Sequence, residues 1–390
     1  MACYISSNNN RFYVALEQNY GNVAAVTGVN RIPAVQLTIK EQRESPRRRD
    51  KTGTRTFIGT PTAARSRVEY SLATYMSTWQ NKGTEPSYGP LFQACLGGTP
   101  RLASGLLVES STPDGRLTFT APHGLSAGQA VAFGSDIRFV MAIVNEQTVQ
   151  VNAPFTMVPN TGTSLSPTVT YFPGAELPSL GVFDYWSPSE TVQRVVAGCG
   201  VNRLEIEVNG DYHEFRFEGP AREVVDTASF ESGQGQLTEF PEEPTPSDFD
   251  YSLVPGHLGQ AWLGSIPEQF FTLTSAKVSI ENGLDTRNDE FGRDKPACLT
   301  PGERKVHVSF SLYSTSDEAT RALYQASRQR SPISVMFQLG QESGQLFGIY
   351  IKSVVPEVPA FDDKDSRLQW SFGPSLAQGT GEDEVFLAFA

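Results

Sequence analysis

With 390 residues, of which 39% are apolar and 19% charged, the chain has material for two or three globular domains and too much for a disordered one. A formal net charge of −12 repels nucleic acid at long range, which argues against a protein that wraps DNA. No apolar run approaches the roughly 18 residues of a membrane helix, and the start, MACYISSNNNRFY, has neither the basic nor the apolar region of a signal peptide. The cysteines (Cys3, Cys95, Cys199, Cys298) form no CxxC pair, and the four histidines are scattered. Free thiols are expected, with no zinc ligand set and no cofactor.

Glycine and proline are plentiful (34 and 26), as short strands joined by many turns require. In chain order, 12–17 (FYVALE) and 35–40 (VQLTIK) read as strands. A charged excursion follows at 41–55, and strand-like sequence resumes at 65–75. Residues 90–98 (PLFQACLGG) predict a short helix, with proline in the first turn and glycines to stop it. From 104 to about 185 the texture changes. Five short β candidates (106–109, 116–120, 130–133, 137–144 and 148–151) alternate with Pro-Asp-Gly, His-Gly, Gly-Ser-Asp and Asn-Glu turns. This predicts a small β-barrel or sandwich inserted into a host domain.

The host resumes with a hairpin over 202–219 around Asn209-Gly210. Leu204, Ile206 and Val208 share one face and oppose Tyr212, Phe215 and Phe217 after a register adjustment. Residues 238–258 form an acidic, proline-rich stretch that reads as an extended linker, its charge discouraging packing. Beyond it come a strand at 277–281, a charged excursion at 282–296, a strand at 305–313 and a helix over 316–328 with Ser316 as its N-cap. A hairpin over 333–340 and 345–355 follows and is matched to the one at 202–219. Strand, long loop, strand, short helix and hairpin thus occur twice, about 240 residues apart. The expected fold is mainly β: two tandem β-sandwich or barrel cores, each with a short helix, plus the inserted β domain. The boundaries are 1–103 and 186–237 for the first core, 104–185 for the insert, 238–258 for the linker and 259–390 for the second core.

Catalytic patterns are weak. Gly124-Leu125-Ser126-Ala127-Gly128 fits G-x-S-x-G with His123 before it, but a nucleophile elbow needs a strand before and a helix after, whereas 129–133 (QAVAF) reads as another strand. A glycine-rich turn is the better reading. Asp362, Asp363 and Asp365 lack the glycine and distant glutamate of a calcium loop. His213 and His307 sit in alternating strands and His257 in the linker, none with an evident nucleophile. No phosphate-cradling glycine loop occurs.

The strongest local signal is the first excursion, where seven of the sixteen residues from Lys40 to Arg55 are basic. Arg43, Arg47, Arg48, Arg49, Asp50, Lys51 and Arg55 are its candidate contact residues. Glu41, Glu44 and Asp50 are interleaved and no aromatic offers base stacking, so a self-complementary protein contact fits better than nucleic acid. The second excursion (Asp285, Arg287, Asp289, Glu290, Arg293, Asp294, Lys295) leans acidic. A basic and an acidic loop on one chain can meet head-to-tail, a heterologous contact that generates open tubes.

At this point the chain resembles the tail tube proteins of long-tailed, siphovirus-like bacteriophages. The likeness is carried by Ile32-Pro33-Ala34, by the Asp50-Lys51-Thr52-Gly53-Thr54-Arg55 loop, by Gly59-Thr60-Pro61 and by 90–98. In the second half Ser279-Ile280-Glu281-Asn282-Gly283-Leu284, with Arg287, Asp289, Glu290 and Gly292, is similar. The resemblance implies a structural, non-enzymatic virion protein whose rings line a channel and stack into a conduit for DNA, a long loop reaching the next ring. It implies tape measure, tail terminator and baseplate proteins as partners, DNA passing without specific binding, no membrane, and assembly in the host cytoplasm. Members with one core form six-chain rings; two cores per chain imply three chains in a pseudo-hexameric ring, and a single-core reading six. The alternatives are a neck terminator ring or baseplate component that does not polymerise, and a serine hydrolase using Ser126. A carbohydrate-binding role for the insert stays open.

Overall fold

Short strands punctuated by turns build four sheets among the described residues, with two α-helices set against them. The computed structural model describes residues 4–44, 49–59, 64–79, 82–245, 249, 252–264, 270–364 and 366–390. Cys3, Arg47, Arg48, Thr60, Pro61 and Asp365 lie outside them. The chain opens with β1 (Asn10–Leu16), β2 (Arg31–Ile32), β3 (Ala34–Glu44), β4 (Arg65–Tyr75) and α1 (Gly89–Leu96). Then come β5 (Arg101–Ala103), β6 (Val108–Ser111), β7 (Arg116–Phe119), β8 (Ala130–Phe133), β9 (Asp136–Asn145), β10 (Thr148–Val151) and β11 (Thr168–Tyr171). Next are β12 (Leu180–Trp186), β13 (Arg194–Cys199), β14 (Arg203–Val208), β15 (Glu214–Ala221) and β16 (Glu223–Asp226). The final stretch holds β17 (Gly259–Leu263), β18 (Phe270–Phe271), β19 (Leu273–Glu281), β20 (Lys305–Tyr313) and α2 (Glu318–Gln329). It ends with β21 (Ile333–Leu339), β22 (Phe347–Val354), β23 (Ala360–Asp362), β24 (Gln369–Leu376) and β25 (Val385–Phe389).

Leaving aside β5 to β11, the order of elements up to β16 recurs from β17 onward, and so do their places in the sheets. One eight-stranded sheet runs β23-β24-β20-β19-β14-β15-β4-β3. Its two halves have the same internal order, β19-β20-β24-β23 and β3-β4-β15-β14. Opposite it, β2-β1-β12-β13-β16 in the first stretch corresponds to β18-β17-β21-β22-β25 in the second. The hairpin over 333–355 is therefore the counterpart of β12–β13, not of the Asn209-Gly210 hairpin. The true match of β14–β15 is β23–β24, where a three-residue strand in charged sequence shows no legible alternation. Residues 180–185, assigned by sequence to the insert, lie in β12, which pairs with β1 and β13. Leu180 to Tyr185 are all buried, and a strand buried on both faces carries no alternation to mark it.

The helices form where the sequence places them. α1 has proline at its start, and Gly97 at φ 90 ends it, its amide donating to the Gln93 carbonyl. α2 is capped one residue later than predicted: Asp317, not Ser316, accepts from the Thr320 amide at 2.6 Å. Phe92 of α1 is fully buried, with ring centroids 5.1–5.4 Å from Phe215, Phe217, Phe347 and Phe389. Two of those rings belong to each half, so one continuous core joins them. In the Asn209 hairpin, Leu204 faces Phe217 and Ile206 faces Phe215, all four fully buried, while Tyr212 leaves the ladder and is 45% exposed. Neither described helix is long and apolar enough to cross a membrane.

Strands β6 to β10 form their own sheet, β6-β7-β10-β9-β8. Residues 162–166 link its two edges: Gly162 donates to the Val108 carbonyl and Ser166 to that of Ala132, each at 2.8 Å. The resulting small barrel is seated on the second half. Phe139 stacks on Tyr350 at 5.4 Å, and Ala130, Ala132 and Ile137 share a core with Trp262, Met336 and Phe386. At the root of the contact lies Arg138, fully buried. It donates to the carbonyls of Pro154 and Ile137 and to the side chains of Gln338 and Gln260 at 2.8–3.2 Å. It also pairs with buried Asp136 at 3.2 Å. Burial lowers its pKa to about 10, with Asp136 opposing the fall, so it stays charged at neutral pH.

The acidic stretch after 238 does not stand off as an extended linker where it is described. Glu243 takes a bidentate pair from Arg11 and a hydrogen bond from Tyr13 at 3.0 Å. Tyr185 donates to the Pro241 carbonyl at 3.1 Å, and Phe240 packs on Phe230. Its charge is the anchor, because an arginine on β1 faces it.

Arg138→Met keeps most of the volume but leaves the buried Asp136 carboxylate without its cationic partner and the Gln260 side-chain carbonyl without its donor. Unfolding in denaturant is expected to show about 3–5 kcal/mol of lost stability, the usual cost of orphaning one member of a buried pair.

Candidate assembly interface

The eight-stranded sheet exists because β14 pairs antiparallel with β19, running from Arg203 opposite Glu281 to Val208 opposite Ala276. On the core side of this seam Leu204 meets Ile280 and Ile206 meets Val278, all fully buried. By the alternation of strands the other face is polar. There Lys277 lies 3.1 and 3.3 Å from Glu205 and Glu207, Arg203 is 2.5 Å from Glu205 and 3.6 Å from Glu281, and Arg216 is 3.4 Å from Glu214. Partial desolvation pulls the Lys277 ammonium down, but hydrogen bonds and charge from Glu205 and Glu207 outweigh it and hold its pKa above the ordinary lysine value. Basic groups at the seam are thus matched by carboxylates on the face away from the core.

The sheet ends in two edges, β3 and β23. From Lys40 to Glu44 every residue of β3 is exposed, and so are all three of β23. Phe361 on β23 is 56% exposed. One ring face stacks on Trp370 at 5.3 Å and 10°, and Tyr324 of α2 packs against both rings at 6.1 and 5.4 Å. The Trp370 indole nitrogen is buried without a hydrogen-bond partner among the described residues. Unpaired edges of this kind template pairing with another chain.

Of the sequence-predicted contact residues, Arg43 lies on the β3 edge, 3.2 Å from Glu41. Arg49, Asp50, Lys51 and Arg55 are exposed on the excursion between β3 and β4, which has no strand or helix over 49–59. The second excursion is arranged differently. Asp285 and Thr300 exchange backbone hydrogen bonds at 2.9 Å, and the Asp285 carboxylate accepts from the Arg287 amide at 3.1 Å. The excursion then lies against the start of β4. Asp289 is 3.5 Å from Arg65 and 3.4 Å from Arg67, and the Glu290 carbonyl accepts from Arg65 at 3.2 Å. The Asp294 carbonyl accepts from the Ser66 amide at 2.9 Å, and Arg293 pairs with Glu290. The acidic residues therefore meet the foot of the first hairpin within the chain, while Arg49 to Arg55 project from it.

Sequence reasoning passed over the exposed apolar residues of both excursions. Phe57 is 82% exposed and Ile58 54%, and Phe291 is fully exposed. An aromatic inside a polar run was the available signal. Ser126 lies in a turn that leads into β8 rather than a helix, and its Oγ accepts from Arg101 at 2.7 Å. His123 directs Nδ1 to the Leu125 amide, 2.8 Å away, and Nε2 to the Asn145 carbonyl, 3.1 Å away, so its ring nitrogens face backbone groups rather than Ser126.

A family model described as phage tail tube protein matches residues 7–389. That span takes in nearly the whole chain, the β6–β10 barrel included, and the chain belongs to this family. A search of curated proteins finds no match.

Asp289→Lys with Glu290→Lys removes exposed pairs worth under about 1 kcal/mol. Limited proteolysis is expected to cut the 283–300 excursion faster in this variant while the thermal midpoint of the whole chain scarcely moves.

Proposed function

We propose that this chain is the structural subunit of a phage tail tube, closing into rings that stack into a conduit for DNA. The observation that carries the reading is the internal seam. β3 and β19 hold the same place in their halves of the sheet, as do β14 and β23. The β14–β19 junction is therefore a template for pairing β23 of one chain with β3 of the next. That contact is heterologous, since the two edges differ, and repeats around a ring. With two repeat units per chain, three chains supply the six units that single-core members of the family assemble.

The polar face of the eight-stranded sheet lines the channel in this reading. At the seam Lys277, Arg203 and Arg216 are held by glutamates, which lowers the cationic charge offered to DNA and favours sliding over binding. The β6–β10 barrel, seated on the sheet opposite, then lies on the outside. Successive rings are joined through the first excursion, its basic residues steering the contact and Phe57 and Ile58 supplying apolar area. The tape measure protein occupies the lumen during assembly in the host cytoplasm, and terminator and baseplate proteins cap the ends.

Purified protein is expected to form long filaments of uniform diameter in negative stain. Arg47→Glu, Arg48→Glu and Arg49→Glu together should abolish them and leave folded single rings. Filaments of normal length from the triple variant would remove the first excursion from the stacking contact, and wild-type rings that never stack would favour a terminator or baseplate role.

A further inference from the structure

The internal repeat fixes more than which edges meet; it fixes their register. Val68-Glu69-Tyr70-Ser71-Leu72 of β4 corresponds to Val308-Ser309-Phe310-Ser311-Leu312 of β20. Leu72 pairs with Phe217 and Leu312 with Trp370, so Phe217 and Trp370 are equivalent. Phe217 faces Leu204 and Trp370 faces Phe361, so Leu204 and Phe361 are equivalent as well. The helices agree: Leu91-Phe92-Gln93-Ala94 matches Leu323-Tyr324-Gln325-Ala326. Phe92 lies 5.3 Å from Phe217, and Tyr324 lies 5.4 Å from Trp370. Across the internal seam Leu204 faces Ile280, which pairs with Val306. Counting back from the matched strands, Val306 corresponds to Ser66, whose partner on β3 is Arg43.

We infer that β23 of one chain pairs with β3 of a second copy in a single register, with Phe361 opposite Arg43, Asp362 opposite Gln42 and Ala360 opposite Glu44. The inference rests on the ring reading above. The buried Leu204–Ile280 pair of the internal seam is replaced at the outer seam by an aromatic and a guanidinium. Phe361 already has one face on Trp370, and Arg43 of the second copy stacks on the other. A planar, weakly hydrated guanidinium suits that position better than an ammonium. The substitution has a physical purpose. A Leu–Ile pair left on two free edges would aggregate before assembly, whereas an arginine on the edge keeps the unassembled chain apart. The register also accounts for the shortness of β23, since one step further Asp363 would stand in the place of Ile206 and face Glu41.

Directly opposed residues in an antiparallel pair have Cα atoms about 4.5–5.5 Å apart, within reach of a disulfide. The test compares Arg43→Cys/Phe361→Cys with Glu41→Cys/Phe361→Cys under mild oxidation, read as covalent oligomers on non-reducing gels. Both positions are exposed; the native Cys95 and Cys199 are buried and Cys298 is partly exposed, so the parent chain is run beside the variants to give the background. The first pair is expected to link chains at least tenfold faster than the second, ending in a closed covalent ring. Equal or faster linking by the Glu41 pair would overturn the register, as would no linking by the Arg43 pair in preparations where rings are visible. The ring reading would survive either result. Absence of both rings and links from every variant would overturn the ring reading and the register with it. As a second measurement, Phe361→Ala should weaken association of chains about fivefold, the worth of one partly exposed cation–π contact.

Discussion

The antiparallel pairing of β14 with β19 is the constraint on which the rest of the molecule depends. It joins two four-stranded halves into one sheet, brings Leu204 and Ile206 onto Ile280 and Val278, and sets Phe92 among aromatic rings from both halves. Because the joined strands occupy different places in their halves, the junction is head-to-tail. A head-to-tail junction consumes one edge of each type and leaves one of each type free. In the proposed ring the free edges of successive chains meet as the joined ones do, and the interior contact and the contact between chains are then two instances of one interaction.

The halves have diverged where their surroundings differ. Phe92 is buried at the interior seam, while its counterpart Tyr324 is partly exposed beside the free edge. The acidic second excursion folds onto Arg65 and Arg67 of the neighbouring half. The foot of β20 offers Lys305 and His307 at the equivalent places, which a basic excursion would avoid. Residues 49–58 of the first excursion are thereby left exposed. The β6–β10 barrel arises from the first half but is seated on the second, held at its root by Arg138 and Asp136. It braces the two halves and covers the sheet opposite the eight-stranded one.

Much of this was legible in the sequence. The strands flanking both excursions alternate, the five strands of the barrel are set off by the turns between them, and α1 and α2 carry their stop and cap signals. The Arg/Asp excursions stood out by composition alone. What stayed hidden has common physical causes. Leu180–Trp186 is buried on both faces, so its run of apolar residues had no period to place it in the host sheet. β23 is three residues long in charged sequence, so its pairing with β24 depended on tertiary contacts and the wrong hairpin was matched to β14–β15. The acidic stretch lacked a visible partner because Arg11, which holds Glu243, is more than 200 residues away. Edges, registers and the exposure of Phe361 are properties of the folded chain that no local pattern announces.

The rotational symmetry of the assembled ring tests the central claim most directly. An end-on view of rings by electron microscopy, with the mass of the same rings measured in solution, should show three-fold symmetry, a pseudo-six-fold wall and three chains of 42.6 kDa each. Six chains related by a true six-fold axis, or chains joined symmetrically through like edges, would contradict it.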